Sequence, residues 1–345
     1  MLKGRKGWVV LGLVASLSIV AAACSSGDGG GTTTGASGLS GQIVISGSST
    51  VQPISSLVAE VFNETNPDVQ ISVDGPGTSD GFELFCAGDI DIADASRPIE
   101  DEEAQACADA RIEYVELEVA FDGITVMTSP DNGAVTCLNK GDLYSLFGPE
   151  SEGFANWSDA NALAQQVGGN DSFPDAPLDI TAPGEESGTY DAFLDLAGIE
   201  DTALAQGVPE DEAAALRKDY QASPDDNVII QAMEGSSSSL GFVGFAFAQE
   251  AGDQIKELEV DGGDGCVAPS AETIADASYP LSRSLYIYVS KTSLAEDPSV
   301  KAYVDFYLTD DALNGPESLV GQVGYVPIPQ DRIDATRSTW SSESA

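Results

Sequence analysis

The sequence predicts an α/β fold in which a mainly parallel β-sheet is covered by helices on both faces. Short apolar, β-branched stretches alternate with segments of helical periodicity, both before and after residue 127. From Gly41 onward about 300 residues remain, enough for two ordinary domains with cores of their own. No apolar run in this part of the sequence approaches the length that spans a bilayer.

The first block alternates strand and helix from its start. The β-rich stretch QIVIS precedes a helix in which Ile54, Leu57 and Val58 recur at helical spacing, and Pro53 suits its first turn. The predicted elements are strand Gln42–Ser46, a helix from about Pro53, strand Val69–Val73, a helix from about Asp80, strand Ile90–Ala95, helix Glu100–Ala110 and strand Ile112–Leu117. This βαβ order favours parallel strand pairing.

A second block begins near Met127 and continues the alternation. The strongest strand signal is LYIYV, an apolar run typical of a buried strand. The predicted elements are helix Lys140–Phe147, strand Leu178–Ala182, helices Ser187–Leu196 and Asp211–Tyr220, strands Leu240–Phe245 and Leu285–Val289, and helical segments Val300–Leu308 and Ser318–Gln322.

The N-terminus predicts export. Basic residues precede an uncharged stretch rich in Val, Leu and Ala, so residues 1–23 are expected to be a signal peptide. The last residues before Cys24 resemble the lipobox of bacterial lipoproteins, which predicts lipidation of Cys24; ordinary cleavage nearby, with Cys24 incidental, is the alternative. Residues 24–40 then form a Gly/Thr-rich flexible tether. We expect a monomer held by its lipid at the outer face of the cell membrane, or in the periplasm.

Four of the five cysteines follow Cys24. An even number in an exported chain predicts two disulfides, for which three pairings exist. We favour Cys86–Cys107 with Cys137–Cys266, because this pairing would join neighbouring elements of the first block and the two ends of the second.

The charge balance excludes several partners and chemistries. The chain has 14 Lys and Arg against 57 Asp and Glu, and this acidity disfavours nucleic acid and anionic lipid surfaces. It has no histidine, so no Ser-His-Asp relay can form and the commonest zinc ligand is missing. We expect no metal and no cofactor.

Three segments place small hydroxyl residues and glycines between a strand end and a helix start. They are Gly47-Ser48-Ser49-Thr50, Gly77-Thr78-Ser79-Asp80-Gly81 and Glu186-Ser187-Gly188-Thr189. Free N–H groups and the positive end of the helix dipole meet at such points, although each segment alone is more often a plain helix cap. Because ligands of such sheets bind beyond the carboxyl ends of the strands, three segments together predict an anion site.

A fourth segment adds a cation directly after a strand. Arg97 follows Ser96 and could hold an oxyanion with its planar guanidinium, or could pair with the many acidic neighbours on the surface. Arg283, just before the strand LYIYV, is a weaker candidate.

Eight segments in order resemble the phosphate-binding protein of bacterial phosphate ABC importers, the PstS family, over about residues 41–330. They are GSSTVQP, GPGTSDGF, IDIADASRPI, VAFDGITV, APGEESGTYDAF, DDNVIIQAM, CVAPSAETI and LSRSLYIYV. The resemblance implies a type II periplasmic-binding-protein fold with two lobes, each with a central mixed sheet flanked by helices, and a ligand cleft between them. Residues 41–128 with 276–345 would form lobe 1, and residues 129–275 lobe 2.

The resemblance also implies a non-enzymatic receptor that closes on inorganic phosphate and delivers it to a membrane permease and its ATPase. Carried over by motif, the ligands would be Ser49, Thr50, the Val51 amide, Ser79, Ser96, Arg97, Ser187, Gly188 and Thr189. One form of the family has an arginine where this chain has Pro183 and a carboxylate where it has Ser96 and Arg97. Arg97 would then be the relocated cation.

A buried carboxylate can accept the proton that phosphate carries, whereas sulfate offers none. Asp122, in VAFDGI, is the first candidate for this carboxylate and Asp80 the second. The alternatives to a phosphate receptor are a receptor for another oxyanion such as sulfate or molybdate, a secreted phosphohydrolase or acyl hydrolase using Ser187, and a sensory or adhesive lipoprotein of the same fold.

Overall fold

A computed structural model describes residues 38–170, 172–185 and 187–344. The signal peptide, Cys24 and the tether up to residue 37 lie outside these residues, so the expectations for them are not examined by the structure. No helix in the described part of the chain is both long and apolar enough to cross a bilayer.

The described chain alternates strands and helices over most of its length. The strands are β1 Gly41–Gly47, β2 Val69–Asp74, β3 Ile92–Ala95, β4 Tyr114–Thr128, β5 Cys137–Asn139, β6 Asp179–Ala182, β7 Gln221–Ala222, β8 Ser239–Gly244, β9 Lys256–Glu257, β10 Glu259–Asp261, β11 Cys266–Val267 and β12 Ser282–Ser290.

The α-helices cover both faces of the main sheet. They are α1 Gln52–Thr65, α2 Thr78–Ala87, α3 Asp101–Ala110, α4 Lys140–Phe147, α5 Asn161–Gln166, α6 Gly188–Leu196, α7 Ile199–Gln206, α8 Glu210–Ala213, α9 Asp226–Met233, α10 Phe245–Ala251, α11 Ala271–Ala275, α12 Lys291–Glu296, α13 Pro298–Tyr307, α14 Asp310–Leu313, α15 Leu319–Gln322 and α16 Gln330–Glu343.

The main sheet is mixed rather than mainly parallel. Its strand order is β2-β1-β3-β12-β4-β8-β6-β7, with β9 pairing on β4. β1 runs parallel to β2 and β3, and β6 runs parallel to β7 and β8. β12 is antiparallel to both β3 and β4, and β4 is antiparallel to β8. The chain returns at its end to place β12 between strands that come much earlier.

Strand β4 belongs to two parts of this sheet. Its residues 114–123 pair with β12, and its residues 124–128 pair with β8. We call β2, β1, β3, β12 and residues 114–123 the first section, and residues 124–128 with β8, β6, β7 and β9 the second section. Ten consecutive β4 residues from Val119 to Thr128 are buried, as expected for a strand covered on both sides.

One predicted helix is wrong, and one long helix of the structure was not predicted. The helix predicted over Asp211–Tyr220 is wrong: helix α8 ends at Ala213, and the following segment places the buried side chain of Arg217 against Asp219 and the Phe154 carbonyl. The long helix α16 was not predicted, because only Ile333, Thr336 and Trp340 are buried along its mostly polar length.

The structure contains both favoured disulfides. Cys86 at the end of α2 bonds Cys107 in α3, and Cys137 in β5 bonds Cys266 in β11. Strands β5 and β11 flank β10 in a separate three-stranded sheet. The second disulfide therefore closes the edges of a small sheet, and the first joins two neighbouring helices.

Candidate anion-binding site

The turn between β1 and α1 is a compact loop whose amides point inward. A side chain at Gly47, which has φ +143°, would place its Cβ 2.1 Å from the Asp94 carbonyl oxygen, so only glycine fits. The Ser48 amide donates to the same carbonyl at 2.8 Å. The amides of Thr50 and Val51 both donate to the Ser48 hydroxyl, at 3.2 and 3.3 Å. Two of the predicted ligand groups therefore already converge on one oxygen.

The start of α2 lies directly beside this turn. A Cβ on Gly81 would lie 2.4 Å from the Gly47 Cα, and the Gly77 amide donates to the Gly47 carbonyl at 2.9 Å. Ser79 sits in the first turn of α2, where amides have no partner within the helix. Close packing of glycines thus brings a second helix N-terminus to the first.

The start of α6 packs against the first turn from the other side. Ser187 caps α6 by accepting a hydrogen bond from the Thr189 amide at 3.2 Å. A Cβ on Gly188 would lie 3.1 Å from the Ser49 carbonyl oxygen, and the Thr50 hydroxyl donates to the Gly188 carbonyl at 3.4 Å. Glu186, in the same predicted segment, lies outside the described residues.

The three predicted segments therefore meet, although they are far apart in sequence. A cavity of about 390 Å³ lies beside their meeting point. It is lined by Thr78, Ser96, Arg97, Glu100, Asp191, Leu194, Asp195, Gly198, Glu200 and Asp201. Three helix N-termini near this point supply positive dipole ends, which favour a small anion there, whereas the cavity itself is lined by five carboxylates and one arginine.

Arg97 lies at the edge of this cavity, but its guanidinium already forms ion pairs with two carboxylates. Its guanidinium contacts Glu103 at 2.8 and 2.7 Å and Glu100 at 3.3 Å, and donates to the Ser79 hydroxyl at 3.0 Å. The hydrogen bond to Glu103 raises the pKa of Arg97 and outweighs the opposing effect of burial. Ser96 is buried and shares a hydrogen bond of 3.0 Å with Thr78.

Arg283 is the cation that contacts the first turn. It is the second residue of β12 and lies beside Asp122, its direct cross-strand neighbour on β4. Its guanidinium donates to the Thr50 hydroxyl at 3.0 Å, contacts Asp122 at 3.4 Å and contacts Asp195 at 2.7 Å. Its side chain is only 11% exposed. The sequence indicated Arg283 only weakly, because its partners come from three distant segments.

Asp122 is buried beneath this arginine. Burial raises the pKa of its carboxyl, and the charge and hydrogen bond of Arg283 offset only part of that rise. Asp191 and Asp195, which the sequence analysis did not select, lie on one face of α6; Asp191 accepts a hydrogen bond from the Ser49 hydroxyl at 2.8 Å. The sequence signal that could have indicated them is the spacing of two aspartates four residues apart just after a predicted helix start.

The comparisons with known proteins agree with this architecture. Residues 32–311 match the PBP superfamily domain. Protein SphX of Synechocystis is 38% identical over 84% of this chain and 79% of its own, and the phosphate-binding protein PstS of Staphylococcus haemolyticus is 32% identical over 94% of both. The chain belongs to the PBP superfamily, in the family of the phosphate-binding protein PstS.

A solved structure of the same superfamily has the same fold. The crystal structure of a possible phosphate binding protein from Planctomyces limnophilus is 32% identical, with a TM-score of 0.78, and the match covers 88% of this chain and 99% of that one. The type II periplasmic-binding-protein fold expected from the sequence is therefore confirmed at the level of a mixed sheet flanked by helices.

Within the PBP superfamily, this chain departs from one known form at Pro183. The structure places Pro183 in a buried position, where its carbonyl accepts the Tyr220 hydroxyl at 2.7 Å. Pro183 supplies no cation, whereas Arg283 reaches the first turn from β12, in the same sheet section as β1.

Proposed function

We propose that this protein is an extracytoplasmic solute-binding lipoprotein that captures inorganic phosphate and delivers it to the permease and ATPase of an ABC importer. The convergence of three helix starts with Arg283 carries the proposal, because these groups can surround a tetrahedral oxyanion with N–H and O–H donors. The relatives support phosphate as the anion, since one is the phosphate-binding protein PstS and another is described as a possible phosphate binding protein. Anchoring through a lipid on Cys24 is supported by the sequence alone.

In this proposal the ligand bridges two lobes. Lobe 1 would carry the starts of α1 and α2, and lobe 2 the start of α6. The change of pairing partner along β4 supports a boundary near residues 123 and 124, a few residues before the boundary expected from the sequence. An anion that contacts both lobes would bind the closed arrangement better than an open one, and this difference drives closure.

The donors proposed for phosphate follow from the contacts of the three turns. Ser49, Thr50 and the Val51 amide would bind from the first turn, Ser79 from the second, and Ser187, Gly188 and Thr189 from the third. Ser96 would complete the set from the wall of the adjacent cavity. Each arginine pairs with two carboxylates. Arg283 would supply the positive charge, with Arg97 in a secondary role, because Arg283 donates to Thr50 of the first turn and its side chain is 11% exposed against 28% for Arg97.

Asp122 is the carboxylate proposed to distinguish phosphate from sulfate. It is buried, and one guanidinium joins it to the first turn. A buried acceptor pairs with the proton of phosphate, but would face fully ionised sulfate without a proton between them. Asp80, the second candidate from the sequence, is exposed at the start of α2.

Isothermal titration of the mature protein tests this function. The protein should first be unfolded and refolded to remove carried-over ligand, and then titrated with phosphate, arsenate and sulfate. Binding of phosphate and arsenate with much weaker binding of sulfate is expected. Equal affinity for sulfate would favour a general oxyanion receptor, and hydrolysis of a chromogenic phosphate ester would favour an enzyme.

A further inference from the structure

Helix α6 touches the first section of the sheet through its start and through one face. Asp191 accepts from the Ser49 hydroxyl at 2.8 Å, the Gly188 carbonyl accepts from Thr50 at 3.4 Å, and Asp195 contacts Arg283 at 2.7 Å. All three contacts join protein atoms to protein atoms, so they can form before any anion arrives.

Of these contacts, the one between Asp195 and Arg283 is an ion pair between elements of the two sections. Arg283 lies on β12 in the first section, and α6 follows β6 of the second section. The Arg283 guanidinium is largely buried, and its contacts with Asp122 and Thr50 hold it in place. Little side-chain freedom of Arg283 is therefore lost when it forms the ion pair with Asp195. Asp195, by contrast, is 67% exposed and is free to leave when α6 moves.

We propose that Asp195 is a positioning residue whose ion pair with Arg283 acts as a latch that favours the closed cleft. This inference rests on the proposed function for its link to phosphate, but the latch itself needs no ligand. Asp195 acts through Arg283, which in turn donates to the Thr50 hydroxyl. Because Asp195 is well exposed, its pair is worth little, and we expect a two- to five-fold effect on the closed population.

A matched pair of variants separates the latch from general electrostatics. D195N and D201N each remove one negative charge from the wall of the same cavity. Asp201 is not among the partners of Arg283 in the described residues. Loss of charge alone weakens repulsion of an anion and should strengthen phosphate binding in both variants. Loss of the latch should weaken it in D195N only.

The experiment has two readouts on the mature protein. Small-angle X-ray scattering without ligand should give a larger radius of gyration for D195N than for D201N. Titration with inorganic phosphate should give an affinity about two- to five-fold weaker for D195N than for D201N. A radius of gyration equal in the two variants, or an affinity of D195N equal to or stronger than that of D201N, would overturn the latch.

Failure of the proposed function gives a different result. If the wild-type protein binds no phosphate, the receptor proposal fails, while the scattering comparison of D195N with D201N still decides the latch.

Discussion

The guanidinium of Arg283 donates a hydrogen bond of 3.0 Å to the hydroxyl of Thr50, although the two residues are 233 positions apart. Thr50 lies in the turn into α1, and Arg283 is the second residue of β12, which lies between β3 and β4. The return of the chain to the middle of the sheet therefore places a cation beside a helix N-terminus. This placement is the basis of the anion site proposed for this acidic protein.

Replacing Arg283 should weaken phosphate binding more than replacing Arg97. Charge-assisted hydrogen bonds contribute about 1.5–3 kcal/mol each, so R283Q should reduce affinity by roughly 10- to 100-fold in a calorimetric titration. R97Q should have a smaller effect, because the Arg97 side chain is 28% exposed against 11% for Arg283, so water and salt screen its charge more. Circular dichroism should show that R283Q is folded, and R283K should recover part of the affinity. A larger loss in R97Q than in R283Q would assign the cation to Arg97.

A methyl group on Gly188 should hinder closure. Its Cβ would lie 3.1 Å from the Ser49 carbonyl oxygen and 3.3 Å from the Thr50 Cα, closer than ordinary contacts. Overpacking of this kind costs about 1–3 kcal/mol, so G188A should bind phosphate roughly ten-fold more weakly. G133A is the control, since a Cβ there meets nothing within 4 Å. Equal affinities of the two variants would argue against closure at this contact.

The role proposed for Asp122 predicts a change of specificity. In D122N the side chain loses the charge that repels sulfate and gains an NH2 group that can donate to it, while its carbonyl oxygen can still accept the phosphate O–H. The ratio of the phosphate affinity to the sulfate affinity should therefore fall by at least about 30-fold. Competition between labelled phosphate and unlabelled sulfate measures this ratio directly. If D122N rejects sulfate as strongly as the wild type, another group accepts the proton of phosphate.

Asp94 should make stability depend on pH. It is fully buried beside Ser55, and burial raises the pKa of its carboxyl from 3.8 to about 8 although the Ser55 hydroxyl donates to it. Between pH 3.8 and about 8, the Asp94 carboxyl has lost its proton in the unfolded chain but retains it in the folded protein. The contribution of Asp94 to stability therefore falls as the pH rises through this range and is constant above it.

The variant D94N removes this titration. Its free energy of unfolding should exceed that of the wild type by about 2–4 kcal/mol at pH 8 and by little near pH 4, as measured by chemical denaturation. S55A is a useful companion, because it removes the hydroxyl that favours the ionised carboxylate and should increase the dependence on pH. A difference between D94N and wild type that does not vary with pH would contradict this assignment.

Local sequence patterns predicted the helix starts of the candidate site. They did not predict the contacts and strand pairings between residues far apart in the sequence. Serine, threonine and glycine after a strand are local signals, and for this reason the segments at 47–50, 77–81 and 187–189 were found. The pairing of Arg283 with Thr50 depends on the position of β12, which no local pattern fixes. The double role of β4 was missed for the same reason: its ten consecutive buried residues do not show where its partner changes. The sequence analysis selected Arg97 because it directly follows a strand. No local pattern showed that Glu103, in the next helix, pairs with it.

A crystal structure of the mature protein with phosphate tests the central claim most directly. The account predicts one anion where the starts of α1, α2 and α6 meet, within hydrogen-bond distance of Thr50, Gly188 and Arg283. An anion held instead by Arg97 in the adjacent cavity, or bound away from α6, would contradict it.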